Sequence, residues 1–152
     1  MPAGSEPLVS LPHTWRPLGP RIAGAVAGGA VLVVTAFLWI GFDQQTRDSV
    51  TPFQRGTVVF LGLIGFAALF ALIRSRVVAE MDSLVVVNGY RRHRFDWAEI
   101  VGVHLPPGAP WVTLDLADGS TVSAMGIQGS DGARARAAVR QLRALVDRRP
   151  PP

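Results

Sequence analysis

Two long uncharged apolar stretches, residues 22–42 and 57–73, fill most of the first half of the chain and set what it can become. A helix needs about 17 to 25 apolar residues, at 1.5 Å rise each, to cross a hydrocarbon core, and both stretches have that length. The 49% apolar content averages a very greasy front half with an ordinary globular back half. With two spans set aside, the 152-residue chain retains enough residues for one compact domain and no more. The pattern therefore predicts a membrane α-helical hairpin of two transmembrane helices, held within residues 21–76, followed by one small module over residues 77–149.

Composition narrows the chemistry further. All 15 basic residues are arginine, which in a background of Ala, Gly, Val and Pro reads as the codon usage of a GC-rich genome before any demand for bidentate geometry. The absence of cysteine excludes a disulfide framework, a thiolate metal site, a cysteine nucleophile and a lipid-modified cysteine.

Residues 1–20 are rich in proline and glycine and lack periodicity, so a disordered tail is expected. Within it, Trp15 and Arg16 suit the headgroup layer before a span, as Trp39 and Phe42 do at the far end. The first stretch exceeds an ordinary signal-peptide core, and the exit Leu38-Trp39-Ile40-Gly41-Phe42-Asp43 offers no small-x-small cleavage site, which favours an uncleaved anchor. Gly24 and Gly28 form a GxxxG spacing, and Ala67 with Ala71 a small-xxx-small one. Packing of the hairpin on itself or homo-oligomerisation would use that spacing, although glycine and alanine are common throughout the chain. The connecting segment 43–56 contains Pro52 and shows no sign of a folded domain. Arginines near the membrane number two in the tail (Arg16, Arg21) and two in the loop (Arg47, Arg55). Arg74, Arg76, Arg91, Arg92 and Arg94 on the C-terminal side break the tie, placing both termini in the cytoplasm and the loop outside.

From residue 77 the pattern changes to short strands. Segments 77–81 and 84–88 are β-branched and are split by Asp82-Ser83. Asn88-Gly89 is the dipeptide preferred in a type I′ turn, so residues 84–87 should pair with 90–95. Residues 100–105 make a further strand, stopped by Pro106-Pro107-Gly108-Ala109-Pro110. Along 111–116, Val112, Leu114 and Leu116 alternate with polar positions and should face the core. Asp118-Gly119 turns the chain into a strand over 120–125. Ser130 or Asp131 would cap a helix over 132–148, whose Ala135, Ala138, Val139, Leu142, Leu145 and Val146 form one apolar stripe. Its remaining faces carry Arg134, Arg136, Arg140 and Arg143, with Arg148 and Arg149 at the C-terminal end and Pro150 to Pro152 as the stop. The result is a small α+β module, an antiparallel curved sheet of about six strands plugged by a C-terminal helix.

The run Arg94-Phe95-Asp96-Trp97-Ala98-Glu99-Ile100-Val101-Gly102-Val103, the later run Pro107-Gly108-Ala109-Pro110-Trp111-Val112-Thr113-Leu114-Asp115-Leu116, and Ala124-Met125-Gly126-Ile127 resemble the pleckstrin-homology (PH)-like domains of actinobacterial membrane proteins. The similarity is to the low-molecular-weight protein antigen 6 type, in which two membrane helices precede the domain. It covers most of the chain and implies a PH-like barrel, here one strand short of the usual seven. It brings no catalytic residues, and the phosphoinositide-binding basic loop of eukaryotic relatives has no residue-by-residue counterpart.

Three constellations remain. Arg91, Arg92, His93 and Arg94 place cations on a strand close in sequence to the membrane, where each arginine contributes about 1 kcal/mol toward anionic lipid. Strand side chains alternate between faces, however, so the simpler reading is a solvated edge that discourages aggregation. The arginine-rich helix, in a chain of sequence pI about 11.2, reads as a solvated face, since no nucleic-acid motif or stacking platform accompanies it. His93, Asp96, Glu99 and His104 match no metal-ligand spacing. Trp97 and Trp111 are expected to anchor the sheet. No G-x-S-x-G, H-E-x-x-H, P-loop or dinucleotide fingerprint occurs, and neither Ser123 nor His104 has an identifiable catalytic partner.

No cofactor, metal, nucleic acid or enzymatic reaction is therefore expected. The leading expectation is an adaptor at the cytoplasmic membrane whose sheet edge or groove recruits a protein partner. The alternatives are a sensor of anionic membrane lipid, contacting it through Arg91, Arg92 and Arg94, and an accessory subunit of a transport or envelope-synthesis complex that assembles through its spans at Gly24 and Gly28.

Overall fold

A computed structural model describes residues 9–148. The expectations for residues 1–8, Arg149 and the terminal prolines lie outside the described residues. The chain divides into two compact units, residues 20–73 and residues 1–19 together with 74–152.

The first unit is a helical hairpin. Helix α1 (Gly19–Gly41) and helix α3 (Pro52–Arg74) are each 23 residues long, and both are long and apolar enough to cross a membrane by length and composition. Helix α3 begins before its apolar run because Thr51 and Gln54 close a reciprocal cap. Gln54 Oε1 accepts from the Thr51 N–H at 2.9 Å and Thr51 Oγ1 accepts from the Gln54 N–H at 3.2 Å, with Pro52 at the first helical position. Between them lies the short helix α2 (Gln44–Ser49), whose cap Asp43 accepts from the Thr46 N–H at 3.0 Å. Hydrogen bonding from the Thr46 side chain and from its N–H holds the Asp43 carboxyl below its usual range. Almost none of the apolar surface of α1 and α3 is covered within the chain; Phe37, for example, is 76% exposed. An exposed apolar surface this continuous is of the kind that contacts a membrane or another protein.

The second unit contains seven strands and a helix. Strands β1 (His13–Trp15), β2 (Arg76–Ala79), β3 (Ser83–Asn88) and β4 (Arg91–Asp96) form one antiparallel sheet in that order. Strands β5 (Ile100–His104), β6 (Trp111–Leu116) and β7 (Thr121–Gln128) form a second. Helix α4 (Ala133–Asp147) buries Ala135, Ala138, Val139 and Leu142 in the core, with Leu145 and Val146 packed beside them. The alternation along β6 is as anticipated, with Val112, Leu114 and Leu116 buried.

The strand missing from the sequence reading comes from the tail, which corrects the expectation of disorder for the described part of it, residues 9–20. Residues 13–15 pair with 79–77, so the first strand of the sheet precedes the helical hairpin and the second follows it. Trp15, expected in the headgroup layer, is a core residue: its ring is buried and its Nε1 donates to Gln141 Oε1 at 3.1 Å. A three-residue strand carries no period, and its partner is distant in sequence, so the pairing rests on tertiary burial of the tryptophan rather than on local pattern. Among the described residues the unit therefore has seven strands in two sheets of four and three, where one sheet of about six was expected.

Two turns also differ. Asn88 pairs with Arg91, leaving Gly89 and Tyr90 as the two loop residues. Only Gly89 has positive φ, +60°, which is the pattern of a type II′ loop with glycine at its first central position. Helix α4 takes Gly132 as its N-cap, without a side-chain cap. Asp131 instead accepts from the Leu18 and Gly19 N–H groups at 2.9 and 2.8 Å, fixing the segment after β1.

Candidate functional site: the basic edge strand

Register sorts the arginine cluster onto faces. Val86 lies opposite His93 and Leu84 opposite Phe95, so Arg91, His93 and Phe95 share the core-side face, where His93 and Phe95 stack at 6.1 Å. Val87 lies opposite Arg92 and Val85 opposite Arg94, which places Arg92 and Arg94 on the outer face. On the other flank of β3, Arg76 pairs with Val87 and Val78 with Val85. The outer face thus carries one row of Arg76, Val87 and Arg92 and a second of Val78, Val85 and Arg94.

This arrangement explains why β3 is buried on both sides. Leu84 and Val86 enter the core, whereas Val85 and Val87, only 2% and 4% exposed, lie on the outer face, Val85 between Val78 and Arg94 and Val87 between Arg76 and Arg92. Arg94 is paired to Glu80 at 3.0 Å, and both groups are open to solvent, so the pair adds little stability. Arg76, assigned from sequence only to membrane orientation, joins Arg92 and Arg94. Two-residue periodicity on β2 and β4, combined with the hairpin register, was the signal that could have found it.

Sheet edges decide what is accessible. At β5 the Val103 carbonyl accepts from Arg143 Nε at 2.8 Å. At β7 the Asn88 carboxamide accepts from the Met125 N–H at 3.0 Å and donates to the Ser123 carbonyl, joining the two sheets. At the same junction Gly126 lies so close to β2 that a β-carbon would stand 2.4 Å from the Arg76 carbonyl carbon. Strand β1 has three residues, with Trp15 tied to α4. Strand β4 is terminal in its sheet, six residues long, and exposed from Arg91 to Arg94. Among the described residues it is the longest sheet edge without such a cover.

The other singled-out residues have structural partners. Trp97 is buried, with Nε1 donating to the Glu80 carbonyl at 3.2 Å, and Trp111 is half-buried. Glu99 accepts from the Asp96 N–H at 2.6 Å, and His104 sits 2.7 Å from Asp115. No group of three or more potential metal ligands occurs among the described residues. In the helical hairpin, Gly24 and Gly28 receive Leu69: added β-carbons would lie 2.6 and 3.0 Å from its methyls.

Two packed antiparallel sheets of four and three strands with a C-terminal helix are the architecture of a PH-like domain. The bacterial PH domain family matches residues 74–145. Over 147 residues the chain is 36% identical to an uncharacterized protein of Mycobacterium tuberculosis, Rv1417, and to one of Mycobacterium bovis, Mb1452, covering 93% of this chain and 89% of each relative. The chain belongs to the bacterial PH-domain family, in an actinobacterial group. The matched segment starts at Arg74 and so leaves out β1. No solved structure matches the chain.

Proposed function

We propose that the protein is a noncatalytic adaptor, anchored in the cytoplasmic membrane by α1 and α3, that recruits a protein partner through β4. The observation carrying this reading is the open edge of β4, where an extended segment can add as a further strand. Its five exposed side chains, three of them arginine against the single acid Asp96, favour an acidic segment and disfavour self-pairing of edges. The pairing of β1 with β2 supports a hairpin that crosses the membrane twice, because strands on either side of it must meet in one compartment. The arginine tally favours the cytoplasm for that compartment.

A second reading draws on the row of Arg76, Val87 and Arg92: the outer face reads anionic headgroups. The deciding experiment places a photo-crosslinking residue at His93 on β4, or at Thr113 on β6 as control, in the full-length protein in native membranes. One protein captured through position 93 at near-equal amount supports the adaptor. Capture of lipid alone, abolished by moderate salt, moves the reading to headgroup sensing.

A further inference from the structure

The helical hairpin contains a second feature that neither reading uses. At one end α1 and α3 touch, with Leu69 against Gly24 and Gly28. Toward the loop they leave a hollow of about 450 Å³, lined by Leu38, Trp39, Phe42, Val58 and Val59 and edged by Arg55. That volume lies in the range of about 300 to 1,000 Å³ common to small-molecule sites.

The mouth of the hollow is cationic and lacks an anion. The Arg55 guanidinium rests over the Trp39 ring, 5.3 Å from its centroid, and its Nη2 donates to the Arg47 carbonyl at 2.8 Å. Arg47 Nε is buried without a hydrogen-bond partner, the one such side-chain atom among the described residues. The unit has two carboxylates, and both are engaged within the loop: Asp43 accepts from the Thr46 N–H, and Asp48 accepts from Gln44 Nε2 at 3.1 Å. A second copy of the hairpin would bring the same two engaged acids, so it supplies apolar contacts but no free anion.

We infer that the hollow binds one anionic phospholipid, its acyl chain against Leu38, Val58 and Val59 and its phosphate at Arg55. The site rests on the membrane reading of the hairpin given above and is independent of the partner bound at β4. Arginine suits a phosphate because its planar donors bind two oxygens at once, and stacking on Trp39 holds the fork in place. Trp39 and Phe42, in edge contact at 6.5 Å, provide an aromatic wall at the depth where headgroup and chain meet.

The test is native mass spectrometry of the full-length protein released from nanodiscs containing equal phosphatidylglycerol and phosphatidylcholine. One phosphatidylglycerol per chain, retained at least tenfold over phosphatidylcholine, is the expected result. Arg55→Gln should remove the preference, and Val59→Trp, which fills the hollow, should remove the bound lipid. Arg134→Gln, on α4 in the other unit, should change neither. Equal retention of both lipids, insensitivity to Arg55→Gln and Val59→Trp together, or a dimer that Val59→Trp dissociates would each overturn the assignment. Alkaline extraction of the wild-type chain separates the two levels of failure. Release from membranes refutes the span reading itself, whereas retention without a bound anionic lipid refutes only the site.

Discussion

Asn88 and Gly126 carry the junction between the two sheets at single-residue resolution. Asn88→Ala removes two hydrogen bonds across that junction and leaves the Met125 N–H and Ser123 carbonyl unsatisfied. A loss of about 1 to 3 kcal/mol is expected, read as a lowered urea midpoint of the detergent-solubilised chain. Gly126→Ala should cost at least as much, because the added carbon meets backbone rather than a flexible side-chain end. Asp118 behaves differently. It accepts from the Ser120 N–H and O–H, and these bonds lower its pKa below 3.8. A depressed folded value stabilises the turn above the ordinary value and is lost as pH falls through the lower one. The stability gap between wild type and Asp118→Asn should therefore be present at neutral pH and close as pH falls through the lowered value of the Asp118 carboxyl. Sequence showed Asn88 and Asp118 as turn residues, which follows from local backbone chemistry. It did not show the use of the Asn88 carboxamide, because its partners lie on β7, remote in sequence.

Elements with a local repeat were legible and the one without was not. The β6 alternation and the α4 stripe each span several periods, so residues such as Leu114 and Leu142 were placed in the core from pattern alone, and the β3–β4 hairpin was marked by Asn88-Gly89. Residues 13–15 sit among prolines and span too short a stretch to show alternation, and the match to the bacterial PH family likewise begins after them. The candidate edge was legible as an arginine cluster on a strand, but Arg76 joined it only once β2 was seen to lie beside β3. The importance of β1 is testable. Trp15→Ala empties a core position and breaks the bond to Gln141, and a loss of about 3 to 5 kcal/mol is expected by thermal or chemical denaturation. An unchanged melting curve would show that β1 adds nothing to the sheet.

On the scale of the whole molecule, the absence of cysteine makes topology directly measurable. Gln45→Cys should react with an impermeant maleimide in intact cells, whereas Ser10→Cys and Asp118→Cys should react only after lysis. Reaction of the Ser10 and Gln45 variants alike in intact cells would refute a double crossing. The interruption of the sheet between β1 and β2 also gives the chain an order of assembly. During synthesis β1 emerges first and has nothing to pair with until both apolar helices and β2 have been made. A hairpin that crossed the membrane only once would strand β1 on the wrong side, leaving the position of Trp15 in the core unfilled. Under the proposed double crossing, completion of the sheet would therefore depend on correct insertion of the hairpin, since β1 and β2 must finish in one compartment.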